Sequence, residues 1–264
     1  MRTSYHNHTT WSDGSAAFDE MIDGARKAGL EEIGFSDHYA LAPGNPHLGW
    51  SMKPDSLDAY VAQIQQAASA TRDIAVRLGL EVDYFPHTIE LTKERLAQHS
   101  FDYLIGSVHF VDDFAIDLNA KPWEGLSPDL RNHIWRQYWQ HLRAVAETGF
   151  FDIIGHFDLP KKFSFYPSID LTEDALAVLD AIAAANMAIE INTSGWDKPV
   201  GEAYPAQFYL QEAYRRKIPL LINSDAHNSK DVARNFDRAR ELAASVGYSE
   251  LVRFERRKRI FYPM

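Results

Sequence analysis

The sequence predicts a parallel α/β sheet that closes into a barrel. Seven short apolar segments alternate with seven amphipathic helical segments. Three of the helical segments are followed by a glycine (Gly29, Gly149 and Gly247), a residue that commonly ends helices. The 264 residues, 45% hydrophobic and 24% charged, have the composition of a globular protein and can form one barrel domain over residues 1–264. An open doubly wound sheet is the alternative, but no GxGxxG motif follows a strand, so dinucleotide binding has no support.

The predicted elements follow from hydrophobic periodicity and from turn and cap residues. The strands cover Thr3–Tyr5, Glu32–Phe35, Ala75–Glu81, Tyr103–Val108, Asp152–Gly155, Ala188–Ile191 and Leu220–Asn223. The helices cover Phe18–Ala28, Ser56–Thr71, Thr92–Gln98, Pro128–Thr148, Thr172–Ala185, Tyr204–Arg216 and Lys230–Val246. Two long loops, residues 39–54 and 110–127, follow the second and fourth strands. In a barrel such loops build or cover the active site, although a packed surface loop is the alternative.

The overall charge and the residue types that are missing exclude several functions. With 27 basic and 37 acidic residues the net charge is −10, which argues against a nucleic-acid partner. The basic residues between positions 253 and 259 therefore fit a solvated terminal strand better than a nucleic-acid site. The chain has no cysteine, so thiolate chemistry and cysteine-based zinc sites are excluded. Because no apolar run has the length of a signal peptide or a membrane span, we expect a soluble, cytoplasmic protein without membrane contact.

Every predicted strand carries a histidine or a carboxylate at or near its carboxyl end. In chain order the set is His6, His8, Asp37, His38, Glu81, His109, His156, Glu190, Asp225 and His227. Because the carboxyl ends of barrel strands converge on one cavity, these side chains should meet there, and Asp13 can reach the same rim from the first loop. Imidazoles and carboxylates without sulfur favour hard or borderline divalent metal ions. The sequence therefore predicts a multinuclear metal site.

Spacing within the motifs supports the same prediction. His6 and His8 lie two residues apart, so both side chains point to one face of a strand, and Asp225 and His227 repeat this spacing. Glu81 is the best bridging candidate, since its two oxygens can hold two cations. Each motif alone is more often structural or on the surface, but independent structural roles at seven successive strand ends are implausible together.

These motifs resemble the PHP family, named for polymerase-associated domains and histidinol phosphatases. The residues that carry the resemblance are HNH with Asp13, SDH, GLEVDY, GSVH, GHFD, EINTSG and SDAH. Within the family, IGSVHFVDDFAIDL, DIIGHFDLPKKF and EINTSG look most like stand-alone histidinol-phosphate phosphatases. The resemblance runs from His6 to His227 and implies an α/β fold of the distorted (β/α)7 TIM-like barrel type. It also implies a centre of three divalent metal ions (Mn, Zn or Fe) at the carboxyl ends of the strands.

The resemblance also implies which residues hold each ion. One ion would be held by His6, His8, Glu81 and Asp225; a second by Glu81, His109 and His156; and a third by Asp13, His38 and His227. Asp37 and Glu190 would orient the ligands or the nucleophile. Many family members have a histidine where this chain has Asp13. A carboxylate there would favour a harder ion or a weaker third site.

The expected reaction is hydrolysis of a small phosphomonoester, most closely L-histidinol phosphate to L-histidinol and phosphate in histidine biosynthesis. A metal-bridging hydroxide would attack phosphorus in line. Glu81 would hold the bridged ions, and His227 or Asp13 would protonate the leaving alkoxide. The predicted substrate contacts are Trp50, Lys161, Lys162 and Arg234. Two alternatives stay open: a PHP phosphoesterase acting on a nucleotide or sugar phosphate, and a non-catalytic metal-binding scaffold.

Overall fold

The computed structural model describes residues 1–44 and 47–264 of the chain. The strands in this part are β1 (Thr3–Ser4), β2 (Glu32–Phe35), β3 (His38–Tyr39), β4 (Ala75–Leu78), β5 (Glu81–Asp83), β6 (Ile105–Ser107), β7 (Phe110–Val111), β8 (Phe114–Ala115), β9 (Ile153–Ile154), β10 (Ala188–Asn192), β11 (Leu220–Asn223), β12 (Glu250–Glu255) and β13 (Lys258–Pro263). The helices are α1 (Phe18–Lys27), α2 (Leu57–Ala70), α3 (Ile89–Leu96), α4 (Lys121–Glu124), α5 (Pro128–Glu147), α6 (Thr172–Ala184), α7 (Gln207–Arg215) and α8 (Phe236–Val246).

The parallel strands follow one another around a ring in chain order. One sheet has the order β1-β2-β4 and the other the order β11-β10-β9-β6-β5-β3. On one side, the Glu81 amide of β5 lies 3.2 Å from the carbonyl oxygen of Ser36 and 3.3 Å from that of Asp37, the two residues that follow β2. A parallel bridge between Asn7 and Ala226 joins the two sheets on the other side. The ring is thus complete, and the predicted distorted barrel of seven β/α units is confirmed.

The distortion comes from two strands that are interrupted. The predicted third strand, residues 75–81, is divided into β4 and β5, and the second strand continues past Ser36 and Asp37 as β3. At Gly79 an added Cβ would lie 2.3 Å from the ring of Tyr103, so only glycine allows this close approach. The break turns β5 so that the Glu81 side chain is fully buried inside the ring.

Several predicted element boundaries differ from the structure, most of all near the C-terminus. Helix α8 begins at Phe236 rather than at residue 230, because residues 228–235 form turns. Strands β12 and β13 pair as an antiparallel hairpin rather than forming one terminal strand. The turn between them has positive φ angles at Arg256 and Arg257. Positions 45 and 46 of the first predicted loop, residues 39–54, lie outside the described residues. The second predicted loop, residues 110–127, contains two short strands and a short helix, which are β7, β8 and α4.

The two ends of the barrel interior differ in polarity. At the amino end the strands contribute apolar side chains, which form one cluster with Val252 and Phe254 of β12; the strand residues are Tyr5, Tyr103, Ile105, Ile153, Ala188 and Leu221. The hairpin therefore closes this end, because it covers apolar side chains that would otherwise face water. The carboxyl end holds the histidines and carboxylates. None of the helices in the described part of the chain is both long and apolar enough to cross a membrane.

Candidate metal centre

The first group of donors surrounds one oxygen of Glu81. Its Oε2 lies 3.1 Å from His6 Nε2 and 3.5 Å from His8 Nε2. Asp225 closes the group, with Oδ1 at 3.7 Å from His6 Nε2 and 3.3 Å from His8 Nε2. His6 and His8 reach this point together because they leave the first strand with the two-residue period that puts side chains on one face. All three donors from His6, His8 and Glu81 are fully buried.

The second group uses the other oxygen of Glu81. Its Oε1 lies 2.8 Å from His156 Nε2 and 3.6 Å from His109 Nε2. The Ser107 hydroxyl donates a hydrogen bond to the same oxygen at 2.6 Å and so orients the carboxylate. Glu81 therefore lies between two sets of imidazoles, as a bridging ligand would.

The third group lies at the exposed edge of the site. Asp13 Oδ2 is 3.3 Å from His227 Nε2, and Asp13 Oδ1 is 3.7 Å from His38 Nε2. The His8 ring stacks between those of His38 and His227, with both centroid distances at 4.3 Å. The side chains of Asp13 and His227 are 35% and 40% exposed, unlike the inner donors. This third group is therefore open to water on one side.

Several of these buried atoms have no hydrogen-bond partner within the described ranges. They are His6 Nε2, His8 Nδ1, His8 Nε2, His38 Nδ1 and Glu81 Oε2. Burying a polar atom without a partner is costly, and buried polar groups are almost always satisfied. Three of the nitrogens, His38 Nδ1, His6 Nε2 and His8 Nε2, lie 2.9 to 3.5 Å from Glu81 Oε2 without hydrogen-bond geometry, which suits donors that share a cation. The donor set thus fits divalent metal ions.

Electrostatics keep the two central carboxylates ionised. Burial alone would raise the pKa of Glu81, but the imidazoles of His6 and His38 outweigh it and hold that pKa well below its ordinary value. Asp225 behaves in the same way, since His6 and His8 lower its pKa strongly against the effect of burial. Both side chains are therefore charged at neutral pH, as metal ligands must be.

The imidazoles differ from one another in protonation. Burial lowers the pKa of His8 to about 3, so its ring is neutral. Burial also lowers the pKa values of His109 and His227, but nearby carboxylates outweigh this effect. Asp83 raises the pKa of His109 to about 10, and Asp13 raises that of His227 to about 9. A cation that binds His109 and His227 must displace protons from them at neutral pH.

Two predicted supporting residues contact the ligands or the loop that carries them. Glu190 lies 3.1 Å from His6 Nδ1 and accepts a hydrogen bond from the backbone amide of His156 at 2.8 Å. Asp37 accepts hydrogen bonds from the Thr9 amide and the Ser12 hydroxyl, both at 2.7 Å. Asp37 thereby fixes the first loop, which brings Asp13 to the rim.

Asp83 is a supporting residue that the sequence reasoning missed. Its Oδ1 lies 2.8 Å from His109 Nδ1, and the side chain is 2% exposed. The signal was present in GLEVDY, because Asp83 follows Glu81 by two residues and therefore points to the same face of β5.

A cavity of about 290 Å³ opens above the donor groups. Trp50 and Lys162, both predicted substrate contacts, line it, as does Lys198, which the sequence reasoning did not single out. Lys162 is held by Asp117, with Nζ 3.0 Å from Oδ2 and 2.7 Å from the backbone oxygen. Within the described ranges Lys198 forms no ion pair with a carboxylate, so its charge is free to meet a ligand.

Lys161 and Arg234, the other two predicted substrate contacts, do not line this cavity. Lys161 is buried, and its Nζ lies 3.0 Å from Asp158 Oδ2 and 2.8 Å from the carbonyl oxygen of Ala203. Arg234 pairs with Asp197 at 3.1 Å and donates a hydrogen bond to a backbone oxygen. Both charges are used within the protein.

Fold and site together define a β/α barrel whose strand ends bring histidines and carboxylates to one cavity, in groups that could hold several divalent metal ions. The chain belongs to the PHP family, since the PHP domain model matches residues 4–194. It is 38% identical over 241 residues to a probable histidinol-phosphatase of Deinococcus radiodurans, covering 90% of both chains.

Two further proteins match this chain over most of its length. The histidinol-phosphatase of Bacillus subtilis is 29% identical over 83% of this chain and 90% of its own length. The crystal structure of histidinol phosphate phosphatase from Lactococcus lactis, in complex with Zn, L-histidinol and phosphate, superimposes with a TM-score of 0.82. The two chains are 24% identical, and each is covered over 98% of its length, so this match supports the fold.

Proposed function

We propose that this protein is a metal-dependent phosphomonoesterase whose substrate is L-histidinol phosphate. The observation that carries the proposal is the position of Glu81, whose carboxylate lies within 3.6 Å of ring nitrogens of five histidines: His6, His8, His38, His109 and His156. A carboxylate among that many imidazoles has little structural use, but it can bridge cations. The substrate is inferred from the names of the relatives, and the cavity of about 290 Å³ beside the donors offers it a place.

The proposed ligands fall into three sets, as the resemblance implies. They are His6, His8, Glu81 and Asp225; Glu81, His109 and His156; and Asp13, His38 and His227. Divalent ions held there (Mn, Zn or Fe) would neutralise charge on the phosphate and lower the pKa of a water molecule.

The protein's own residues bind and orient the substrate in this proposal. Lys198 and Lys162 supply positive charge to the phosphate, and Asp117 fixes the direction of the Lys162 side chain. Trp50 provides an apolar wall for the organic part: its ring lies 4.8 Å from that of His38 and stacks on Phe110 at 6.3 Å.

The exposed edge of the site is where we place proton delivery to the leaving oxygen. Asp13 and His227 form a pair there, and they are the most solvent-accessible of the proposed ligands. Proton exchange with water is therefore easiest at this pair. His227 Nε2, which faces Asp13, can deliver this proton only when no ion occupies the outer group, because a nitrogen that binds a metal ion carries no proton.

A substrate panel tests the proposal. The protein loaded with Mn, Zn or Fe is assayed against histidinol phosphate, nucleoside monophosphates and sugar phosphates, beside Glu81→Gln and the surface control Glu90→Gln. We expect the wild type to have its highest kcat/KM with histidinol phosphate. Glu81→Gln should lose this activity, and Glu90→Gln should retain it in full. Better turnover of a nucleotide would overturn the substrate, and full activity with full metal content in Glu81→Gln would overturn the site.

A further inference from the structure

Tyr204 lies in the wall of the reaction cavity and has an unpaired hydroxyl group. The residue lines the cavity, yet it is only 1% exposed, and its hydroxyl oxygen has no hydrogen-bond partner in residues 1–44 and 47–264. An unpaired buried hydroxyl reduces stability, since it loses its bonds to water and gains none in return. Such a group needs an explanation, and the contents of the cavity are the natural source of a partner.

The Tyr204 ring is held firmly in place. Its backbone pairs with Asn192 through two hydrogen bonds, of 2.7 and 3.1 Å. The ring packs against Gly195, where an added Cβ would lie 2.9 Å from Tyr204 Cε2. The Lys161 ammonium lies 5.4 Å from the ring centroid, and it also bonds to the carbonyl oxygen of Ala203. The hydroxyl therefore cannot turn away to find another partner within the protein.

The surroundings favour an anionic acceptor for this hydroxyl. Ser194, Lys198 and Asp225 line the same cavity as Tyr204, so a phosphate held by Lys198 would share that cavity with the phenol. Burial raises the pKa of Tyr204 well above its ordinary value, and the phenol consequently keeps its proton at neutral pH. A protonated phenol offers one donor, which matches the acceptor oxygens of a phosphoryl group.

We propose that the Tyr204 hydroxyl donates a hydrogen bond to a phosphoryl oxygen of the bound substrate. This role rests on the proposed phosphatase function and adds a catalytic residue to it. It also assigns a role to the buried Lys161, which binds the Ala203 carbonyl oxygen and contacts the Tyr204 ring, and so holds the hydroxyl in position.

Tyr204→Phe tests the proposal because it removes the hydroxyl alone. We expect kcat/KM to fall about 10- to 100-fold, as for the loss of one hydrogen bond to a charged group. Metal content should not change, and Tm should stay the same or rise, because an unsatisfied buried group has been removed. The matched control is Tyr209→Phe, a half-buried tyrosine that lines a different cavity and should behave like the wild type.

Inorganic phosphate provides a second measurement that does not require turnover. Isothermal titration of the metal-loaded protein should give a phosphate Kd about tenfold higher for Tyr204→Phe than for the wild type or Tyr209→Phe. Should the wild type bind phosphate but not hydrolyse histidinol phosphate, the proposed substrate fails while the role of Tyr204 stands. A kcat/KM and a phosphate Kd within twofold of the wild type would overturn that role, as would losses accompanied by a lower Tm or lower metal content.

Discussion

Asp83 accepts two hydrogen bonds from His109 through one oxygen atom. Its Oδ1 lies 2.8 Å from Nδ1 of the ring and 3.2 Å from the backbone amide of the same residue. Both side chains are buried, and the contact points the opposite ring nitrogen, Nε2, toward Glu81. A carboxylate behind a ligating histidine fixes the ring and raises its basicity, and losing such a partner typically costs 10- to 100-fold in metal affinity.

Asp83→Asn should therefore weaken metal binding by about 10- to 100-fold at the group formed by Glu81, His109 and His156. Competition with a coloured chelator measures the affinity directly. The control is Asp58→Asn, because Asp58 also pairs with a histidine (His99, 3.0 Å) but lies exposed on the surface. Equal metal affinity in Asp83→Asn and Asp58→Asn would contradict the proposed role of His109.

Asp13→Ala should remove the outermost ion and leave the inner ones in place. Asp13 is 35% exposed and contacts His38 and His227, whereas His6 and Glu81 of the inner groups are fully buried. We expect the metal content per chain to fall by about one ion on dialysis, as measured by elemental analysis. Glu81→Ala, which removes the bridging carboxylate, should lose more. A content unchanged from the wild type in Asp13→Ala would rule out an ion at this group.

The sequence could predict which histidines and carboxylates lie close together, because strand ends are easy to locate and barrels bring them to one place. A histidine at the end of a strand, such as His109 or His156, has its position determined by the fold. The direction of a loop side chain is not determined in this way. Lys161 and Lys162 are neighbours in a tight 3₁₀ turn, where successive side chains point about 120° apart. Lys161 therefore faces Asp158, and Lys162 faces the cavity. The sequence alone does not show which of these two neighbouring lysines points toward the site.

Metal binding should strengthen as the pH rises from 7 to about 9. In the metal-free protein the pKa of His227 is raised to about 9 and that of His109 to about 10, so both rings carry protons at pH 7. A metal ion binds the neutral ring, hence these protons must leave, and a higher pH makes their loss easier. Titration calorimetry in HEPES and in Tris counts the released protons, and His227→Gln should release fewer. An affinity independent of pH across this range would contradict the prediction.

Phe254→Ala should destabilise the protein by about 3–5 kcal/mol, the usual cost of removing a buried phenylalanine side chain from a core. Phe254 is 3% exposed and packs with Tyr5 and Tyr103 inside the amino end of the barrel, which the C-terminal hairpin closes. Phe261, on the other strand of that hairpin, is 53% exposed, so Phe261→Ala should change the free energy of unfolding by about 0.5 kcal/mol or less. Urea unfolding of the metal-free proteins measures both, because bound ions would add their own stabilisation. Equal losses in the two variants would show that the hairpin does not close the barrel through Phe254.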